Sequence, residues 1–518
     1  MITVSQEKSY TSGDDGSSFD LDSYHPLSIT NQLRGSILRR VRTGQPVLPD
    51  INGREETKAD VLRALLSGAH PYLVSEEGTG KTRLAKSLTK LLPRVPVIKG
   101  CPYRDDPKWP QERLCPRCRA SQDPVKEFGI ELISGARRFS RIQGNEYTNE
   151  AKLLGLKDIQ AIAHGKSPSD PEVFTGTGVF HANRGILFID ELPAIRTKVQ
   201  VLLHPILEEG KAILEEYNWE HLLDLVLIAT GNPQGFSHVN EIPRPLLDRL
   251  ELIYMGLPDE DVERDIMLHE AFQVNNDLAI GASDEPPYPR LEDIERRVIT
   301  PWWIIDILNK AVRYSRICPY IEKRPSIRAT YRSLDHTCAS VELDNRRIAN
   351  LHHAYHGLKL ALRGRIGLRA DLVDFDRPEK ALKLIEELSA DFMWNAFEDM
   401  RGNGGYLEDC DKAQLSHELA SLVSSDINLA CEKLPWAAIS PYSELSTQVS
   451  LLVQANHSND KQHSGELSIS APPQTINNDE EAEVNYSAVE VLANLCVHSG
   501  VLDEYHTGPL FIPQKYRS

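Results

Sequence analysis

Residues 73–88, LVSEEGTGKTRLAKSL, constrain the fold of this 518-residue chain more than any other segment. An apolar strand runs into a turn containing Gly78 and Gly80, and a Lys-Thr pair then opens an amphipathic helix. This order gathers backbone N–H groups, an ammonium group and a hydroxyl around one point, as nucleotide phosphates require. The pattern GxxxxGK[ST] begins with glycine, whereas this chain has Ser75 there. We predict a phosphate-binding loop.

The residues of this loop have separate expected roles. Lys81 neutralises the outer two phosphates of ATP, and Thr82 ligates Mg²⁺. The phosphates are cradled by the backbone N–H groups of four consecutive residues, Glu77, Gly78, Thr79 and Gly80.

Two further apolar strands end in polar residues that suit hydrolysis. GILFIDEL ends in Asp190, which is expected to hold Mg²⁺ through water, and Glu191, which is expected to polarise the attacking water. LVLIATGNP ends in Asn232, which is placed to sense the γ-phosphate, although Gly-Asn-Pro is also turn chemistry. The order of the three motifs favours an ATP-hydrolysing site over separate turns.

Arginines follow these motifs. Arg249, in EIPRPLLDRLELI, is the preferred arginine finger for the ATP of a neighbouring subunit, and an ion pair with Asp248 or Glu251 is the structural alternative. Arg328, in RPSIRATYRSL, is predicted to reach back to ATP from a helical domain.

Alternating apolar runs and helix-like stretches predict an α/β core with a parallel sheet, and a three- to four-residue apolar spacing after Pro301 predicts an all-α domain. We expect a helical C-terminal extension beyond it. The predicted ranges are a disordered arm at 1–24, the nucleotide-binding domain at 25–290 with an insertion at about 100–170, a helical lid at 291–395, the extension at 396–455, a flexible linker at 456–485 and a short terminal segment at 486–518.

The chain resembles the AAA+ ATPase subunit I family of magnesium chelatase. The likeness covers roughly residues 25–365 and is most specific in GCPYRDDPKWPQERLCPRCR, FTGTGVFHANRGILFIDEL and RPLLDRLEL. It implies a P-loop AAA+ core and a hexameric ring with ATP at subunit interfaces, where Arg249 acts in trans and Arg328 is the lid sensor. It also implies a partner with a von Willebrand A-like domain. In the chelatase itself the motor drives a separate subunit that inserts Mg²⁺ into protoporphyrin.

The predicted insertion contains Cys101, Cys115 and Cys118, the last two in a CPRC knuckle. Such a knuckle often supplies two thiolates to Zn²⁺, and a structural site needs a fourth ligand, which His164 or a carboxylate could provide. Zinc binding, redox-active thiols and simply buried thiols are the alternatives for this cluster.

The leading hypothesis is therefore an ATPase motor, with ATP and Mg²⁺ as cofactors, that remodels a partner protein. A nucleic-acid remodelling or transcription regulator and an ATP-binding switch with weak hydrolysis are the alternatives. A net charge of −17 and the lack of a recognisable DNA-binding module disfavour nucleic acid. The N-terminal residues lack the pattern of a secretory signal, and no apolar run approaches membrane-spanning length, so we expect a cytoplasmic location without membrane insertion.

Overall fold

The computed structural model describes residues 9–11, 18–76, 78–232, 240–271, 298–373, 378–402, 410–425, 427, 429–462 and 477–502. The chain divides into two compact units, Met1–Pro258 and Asp259–Ser518. Among the described residues, no helix combines the length and the apolar content needed to cross a lipid bilayer.

A five-stranded parallel sheet forms the centre of the first unit. We label its strands β1 to β5 in chain order, and they lie side by side in the order β5-β1-β4-β3-β2. Because the strands are parallel, a crossover connection joins each strand to the next strand along the chain, as in other open α/β sheets. The strands are β1 His70–Val74, β2 Phe139–Gln143, β3 Gly185–Asp190, β4 Leu225–Gly231 and β5 Leu250–Tyr254.

The central strands are apolar on both faces because both faces are covered. Along β3, Ile186 and Phe188 pack into one core, while Leu187 and Ile189 pack into another on the opposite face. Successive side chains of a strand point to opposite faces, so a continuous apolar run is what a doubly covered strand requires. The helices of the first unit are Ile29–Arg42, Glu55–Ser67, Lys81–Ser87, Pro116–Ala120, Pro124–Phe128, Glu150–Leu153, Ile159–Ala163, Gly178–His181, Thr197–Gln200, Leu203–Glu208 and Arg244–Leu247.

The first unit also contains small antiparallel strand pairs. One of them lies within the predicted arm 1–24, whose residues 1–8 and 12–17 are outside the described part. The range predicted as an insertion, about 100–170, contains β2, which is a strand of the central sheet. The pairs are Ser9–Thr11 with Ser18–Asp20, Val95–Ile98 with Ile130–Ile133, Gly155–Lys157 with Phe174–Gly176, and Lys211–Leu214 with Trp219–Leu222.

In the described residues of the second unit, helices are the main elements, and one strand pair, Ile321–Lys323 with Gly367–Leu368, accompanies them. One continuous hydrophobic core runs from Met267 to Leu502 and includes residues of the predicted lid, extension and terminal segment. Its helices are Glu260–Glu270, Trp302–Ile317, Ile327–Leu343, Leu351–Leu362, Pro378–Gly402, Lys412–Val423, Trp436–Ile439, Ser443–Gln462 and Asn478–His498.

Helices extend into both ends of the predicted linker 456–485, and residues 463–476 between them lie outside the described part. The later helix starts at a capping box in which Asn477 and Glu480 each accept a hydrogen bond from the other's backbone N–H. The acidic segment that was predicted to be a linker therefore contains the N-terminal capping signal of a helix. The remaining domain boundaries stay predictions.

Candidate functional site

The three sequence motifs meet at one edge of the central sheet. β1 runs into the phosphate-binding loop, its neighbour β4 ends just before Asn232, and β3 ends at Asp190. Because these adjacent strands are parallel, their carboxyl ends lie at the same edge, which is where open α/β sheets bind ligands. The fold thus brings together Lys81 and Asn232, which are separated by 151 positions in the sequence.

Lys81 donates hydrogen bonds to several oxygen atoms at this edge. Its side chain is buried, and its Nζ links the loop that follows β1 to the end of β4. The acceptors are the carbonyl oxygens of Ser75 at 2.7 Å, Glu76 at 3.3 Å and Gly231 at 3.3 Å, and the Oδ1 of Asn232 at 3.1 Å.

Ser75 fits the loop without the conformational freedom of glycine. Its backbone lies outside the left-handed region, whereas Gly78 and Gly80 have φ angles of 72° and 93°. The Ser75 hydroxyl lies 2.5 Å from the Oγ1 of Thr79 and donates to the carbonyl of Glu76 at 3.1 Å. The serine therefore closes the loop with hydrogen bonds, and the left-handed positions among the described loop residues are both glycine.

The other predicted loop residues are only partly described by the structure. Thr79 is buried, and Thr82 is the second residue of the helix Lys81–Ser87. Glu77, the first predicted cradle residue, lies outside the described part of the chain. Arg54, which sequence reasoning missed, donates from Nη1 to the carbonyl oxygen of Thr79 and so braces the loop from the N-cap position of the helix Glu55–Ser67.

Asp190 is fixed from two neighbouring strands. Its Oδ1 accepts a hydrogen bond from Thr230 Oγ1 at 2.9 Å, and its Oδ2 forms an ion pair with Arg141 Nη2 at 2.6 Å. The same Thr230 hydroxyl accepts from the backbone N–H of Glu191 at 2.9 Å. One buried threonine thus positions both acidic residues.

The backbone at Glu191 adopts a left-handed conformation, with φ 59° and ψ 58°. Such a conformation costs a non-glycine residue about 1–3 kcal/mol and is common at functional sites. Gly144, after β2, supports this turn by donating from its backbone N–H to the carbonyl of Asp190 at 2.6 Å. A Cβ atom at Gly144 would lie 2.1 Å from the carbonyl oxygen of Glu191, so only glycine fits there.

Comparison with known proteins shows which families and relatives the chain is similar to. A family model described as AAA domain (dynein-related subfamily) matches residues 130–250, which include Asp190, Glu191 and Asn232 but begin after the loop at 75–82. The magnesium-chelatase 38 kDa subunit of Acidiphilium rubrum is 29% identical over 211 residues, or 38% of this chain and 55% of the relative. The magnesium-chelatase subunit ChlI of Nostoc sp. is 29% identical over 210 residues, or 38% of this chain and 51% of the relative.

The chain contains an AAA domain and is similar to the I subunit of magnesium chelatase. It spans about half the length of these curated relatives. A solved complex between subunits BchI and BchD of magnesium chelatase aligns with a TM-score of 0.33 and 19% identity over 62% of this chain and 95% of that chain, which is too weak to add to the assignment.

The two predicted arginines lie in different units. Arg249 forms an ion pair with Glu208, Nη2 to Oε2 2.6 Å, and also donates to the carbonyl of Pro245. The expected structural alternative named Asp248 or Glu251, so the observed partner differs. Arg328 is exposed at the second position of the helix Ile327–Leu343 in the second unit. The predicted roles of both arginines toward ATP stay predictions.

The three cysteines between residues 101 and 118 come together in the first unit. The thiols of Cys101, Cys115 and Cys118 and a carboxylate oxygen of Asp105 lie within 4.8 Å of one another, and all four residues are buried. Hydrogen bonds from the other two thiols lower the pKa of Cys101, which favours its thiolate. Burial raises the pKa of Asp105 to about 7. The carboxylate that sequence reasoning left unnamed is therefore Asp105, and His164 is not part of this cluster.

Sequence reasoning also missed Arg141, Gly144 and Thr230. A signal existed for Thr230, because it is a polar residue near the end of an otherwise apolar strand and two positions before Asn232. Arg141 gave no such signal, since FSRIQ reads as polar surface until β2 is known to be an edge strand beside β3.

Proposed function

We propose that this AAA+ protein hydrolyses ATP in the presence of Mg²⁺ and uses the energy to remodel a partner protein. The observation that supports this most is the meeting of Lys81, Asp190 and Asn232 at the carboxyl edge of three adjacent parallel strands. The site combines a buried cation, an anchored carboxylate and an amide, which are the groups that phosphoryl transfer uses.

The residues present fit ATP and Mg²⁺. Lys81 already donates to several oxygen acceptors, so its surroundings suit an ammonium group whose partners phosphate oxygens can replace. The left-handed Gly78 and Gly80 permit consecutive loop N–H groups to face an anion. Thr82 and Asp190 supply the hydroxyl and carboxylate that would hold Mg²⁺, which neutralises phosphate charge when bound.

Glu191 is proposed to orient and polarise the attacking water. Its turn is held from β4 by Thr230 and from β2 by Gly144, so the carboxylate starts from a fixed backbone position. Fixed orientation of a general base lowers the barrier because little reorganisation is left for the reaction itself. Asn232 is proposed to sense the γ-phosphate beside Lys81, and Arg249 to complete a neighbouring subunit's site in a ring of about six subunits.

The partner is proposed by analogy with the relatives, which are named as magnesium-chelatase subunits. We propose a partner with a von Willebrand A-like domain, and metal insertion into a porphyrin is the process that such a partner would serve. Since function resides in sites and partners more than in folds, this part rests on the relatives alone.

Nucleotide binding and turnover by the full chain test the ATPase proposal. Lys81→Ala is expected to lower Mg²⁺-dependent ATP turnover at least about 100-fold, because it removes the cation at the phosphates. Lys90→Ala, which removes an exposed lysine paired with Asp50, is the matched control and is expected to keep full turnover. Equal turnover in the Lys81→Ala and wild-type proteins would refute the proposed site. Capture on the immobilised protein with ATP, followed by mass spectrometry, tests for the partner.

A further inference from the structure

The buried cysteine cluster is separate from the nucleotide site. Asn183 and Arg184, which precede β3, contact the cluster's segment, since Asn183 Nδ2 donates to the carbonyl of Tyr103 at 2.7 Å and Arg184 pairs with Asp106 at 2.6 Å. Asp190 ends the same strand, and a six-residue strand is about 20 Å long. The cluster therefore lies toward the opposite end of the sheet from the phosphate-binding loop.

The spacing of the thiols fits a tetrahedral metal ion. Cys101 Sγ and Cys115 Sγ are 3.7 Å apart. Two thiolates bound to Zn²⁺ at about 2.3 Å in tetrahedral geometry are separated by about 3.8 Å, whereas a disulfide bond is about 2.05 Å long. The distance therefore matches shared coordination of one ion.

Two buried polar atoms beside the thiols lack a hydrogen-bond partner. They are Oδ1 of Asp105 and Nε2 of His221, which lie 4.0 Å apart in residues that are 0% and 1% exposed. The other carboxylate oxygen of Asp105 accepts from the backbone N–H of Cys115 at 2.7 Å, so the side chain is already oriented. Buried polar groups without partners are rare in native proteins, and a bound cation is one way to satisfy them.

The backbone also presents the ligands in a suitable order. Cys115 caps the short helix Pro116–Ala120, so Cys118 follows one turn later on the same side. Cys101 Sγ accepts from the backbone N–H of Asp105 at 3.5 Å, which folds that segment over the knuckle. All four ligand residues lie within 18 positions of the chain, so one ion can fix the whole segment.

We propose that Cys101, Asp105, Cys115 and Cys118 bind a structural Zn²⁺ ion, with His221 as the hydrogen-bond partner of the aspartate ligand. Four protein ligands close the coordination sphere, so the ion stabilises the segment and does not catalyse a reaction. His221 belongs to the strand Trp219–Leu222, and its ring is packed among Tyr103, Phe180 and Trp219. The ion would therefore join the segment at 101–118 to this strand, independently of ATP binding.

Metal analysis of the full chain, purified under reducing conditions without chelators, tests the proposal. We expect about one Zn²⁺ per chain, and Cys115→Ser and Cys118→Ser each to lower that content at least about tenfold. Cys496→Ala, which alters a buried thiol in the second unit, is the control and is expected to retain the metal. Asp105→Asn is expected to release Zn²⁺ to a chelator faster than His221→Gln. The reverse order would overturn the assigned ligand set.

A second measurement on the wild-type protein avoids variants that fail to fold. Exchange with Co²⁺ is expected to give thiolate-to-cobalt charge-transfer bands and the d–d spectrum of a tetrahedral site. Alkylation followed by mass spectrometry is expected to label Cys101, Cys115 and Cys118 only after chelation. A wild-type chain that binds neither metal after reconstitution, or that contains a Cys101–Cys115 disulfide bond in their place, would overturn the proposal.

Discussion

The Nζ of Lys81 lies 3.1 Å from the Oδ1 of Asn232, which joins the phosphate-binding loop to the end of a neighbouring strand. The two residues are separated by 151 positions in the chain. Their contact depends on the parallel pairing of β1 with β4, in which Val74 lies opposite Gly231. A cation and an amide held at one point allow the γ-phosphate end of a nucleotide to be sensed from two strands at once.

Substitution of Ser75 tests whether the missing first glycine weakens the loop. Because the backbone of Ser75 is not left-handed, we expect Ser75→Gly to give no gain in ATP affinity. Both Ser75→Gly and Ser75→Ala lose the hydrogen bonds to Thr79 and Glu76 and should weaken ATP binding about threefold to tenfold. Isothermal titration calorimetry measures this. Tighter binding by the glycine variant would show that the serine strains the loop.

Substitution of Arg249 tests whether one subunit completes the ATP site of its neighbour. Arg249→Ala is expected to lower ATP turnover about 1,000-fold at protein concentrations where rings form, because a finger stabilises transition-state charge. Its ion pair with Glu208 is partly exposed, so the loss should cost only about 0–1 kcal/mol of stability. Glu208→Gln, which breaks the same pair but keeps the arginine, is the matched control and should retain turnover.

Mixing experiments separate action in trans from action within one chain. Rings that mix Arg249→Ala with Lys81→Ala subunits should recover part of the activity that neither variant has alone. No recovery in mixtures that co-assemble would rule out the trans role of Arg249.

The buried His353 side chain is expected to make the stability of the second unit depend on pH. Burial lowers its pKa to about 4 although Asp344 lies 3.1 Å from Nε2, and Nδ1 accepts from the backbone N–H of Asn350. The unfolded chain, with a histidine pKa of about 6.5, takes up the proton first as pH falls. Stability contributed by neutral His353 is therefore present above about pH 6.5 and decreases by about 2 kcal/mol between pH 7 and pH 5.

Urea unfolding at several pH values, followed for the second unit, measures this loss. His353→Gln keeps an acceptor for the backbone N–H of Asn350 but has no proton to gain. The stability of this variant should therefore vary less over the same pH range. An unchanged slope in that variant would assign the pH dependence to other groups.

The sequence predicted the parts of the site that each depend on a short local pattern. Asp190 ends an apolar strand, Lys81 and Asn232 come after such strands, and parallel strands bring such ends together. Strand β2 was not predicted, because FSRIQ is an edge strand with alternating exposure and lacks a continuous apolar run. The positions of Arg141 and Gly144 followed from that strand alone and so could not be predicted.

Contacts between distant segments were the other limit. Arg54 braces the loop at Thr79 from the N-cap of a separate helix, and its sequence surroundings give no sign of that role. Asp105 stands between Cys101 and the CPRC knuckle, but only the fold shows that its carboxylate points at the thiols. His221 lies more than 100 positions further along the chain and reaches the same place through a strand pair. Such tertiary contacts carry no local pattern.

Single-turnover ATP hydrolysis with Mg²⁺, comparing the wild-type protein with Glu191→Gln, tests the central claim most directly. The substitution keeps the size of the side chain but removes the base, so ATP affinity should change by less than about threefold while hydrolysis slows at least about 100-fold. Glu215→Gln, at a glutamate in a short turn away from the central sheet, is the control. Equal rates in the wild-type and Glu191→Gln proteins, or no hydrolysis by the wild-type chain, would contradict an ATPase built on this site.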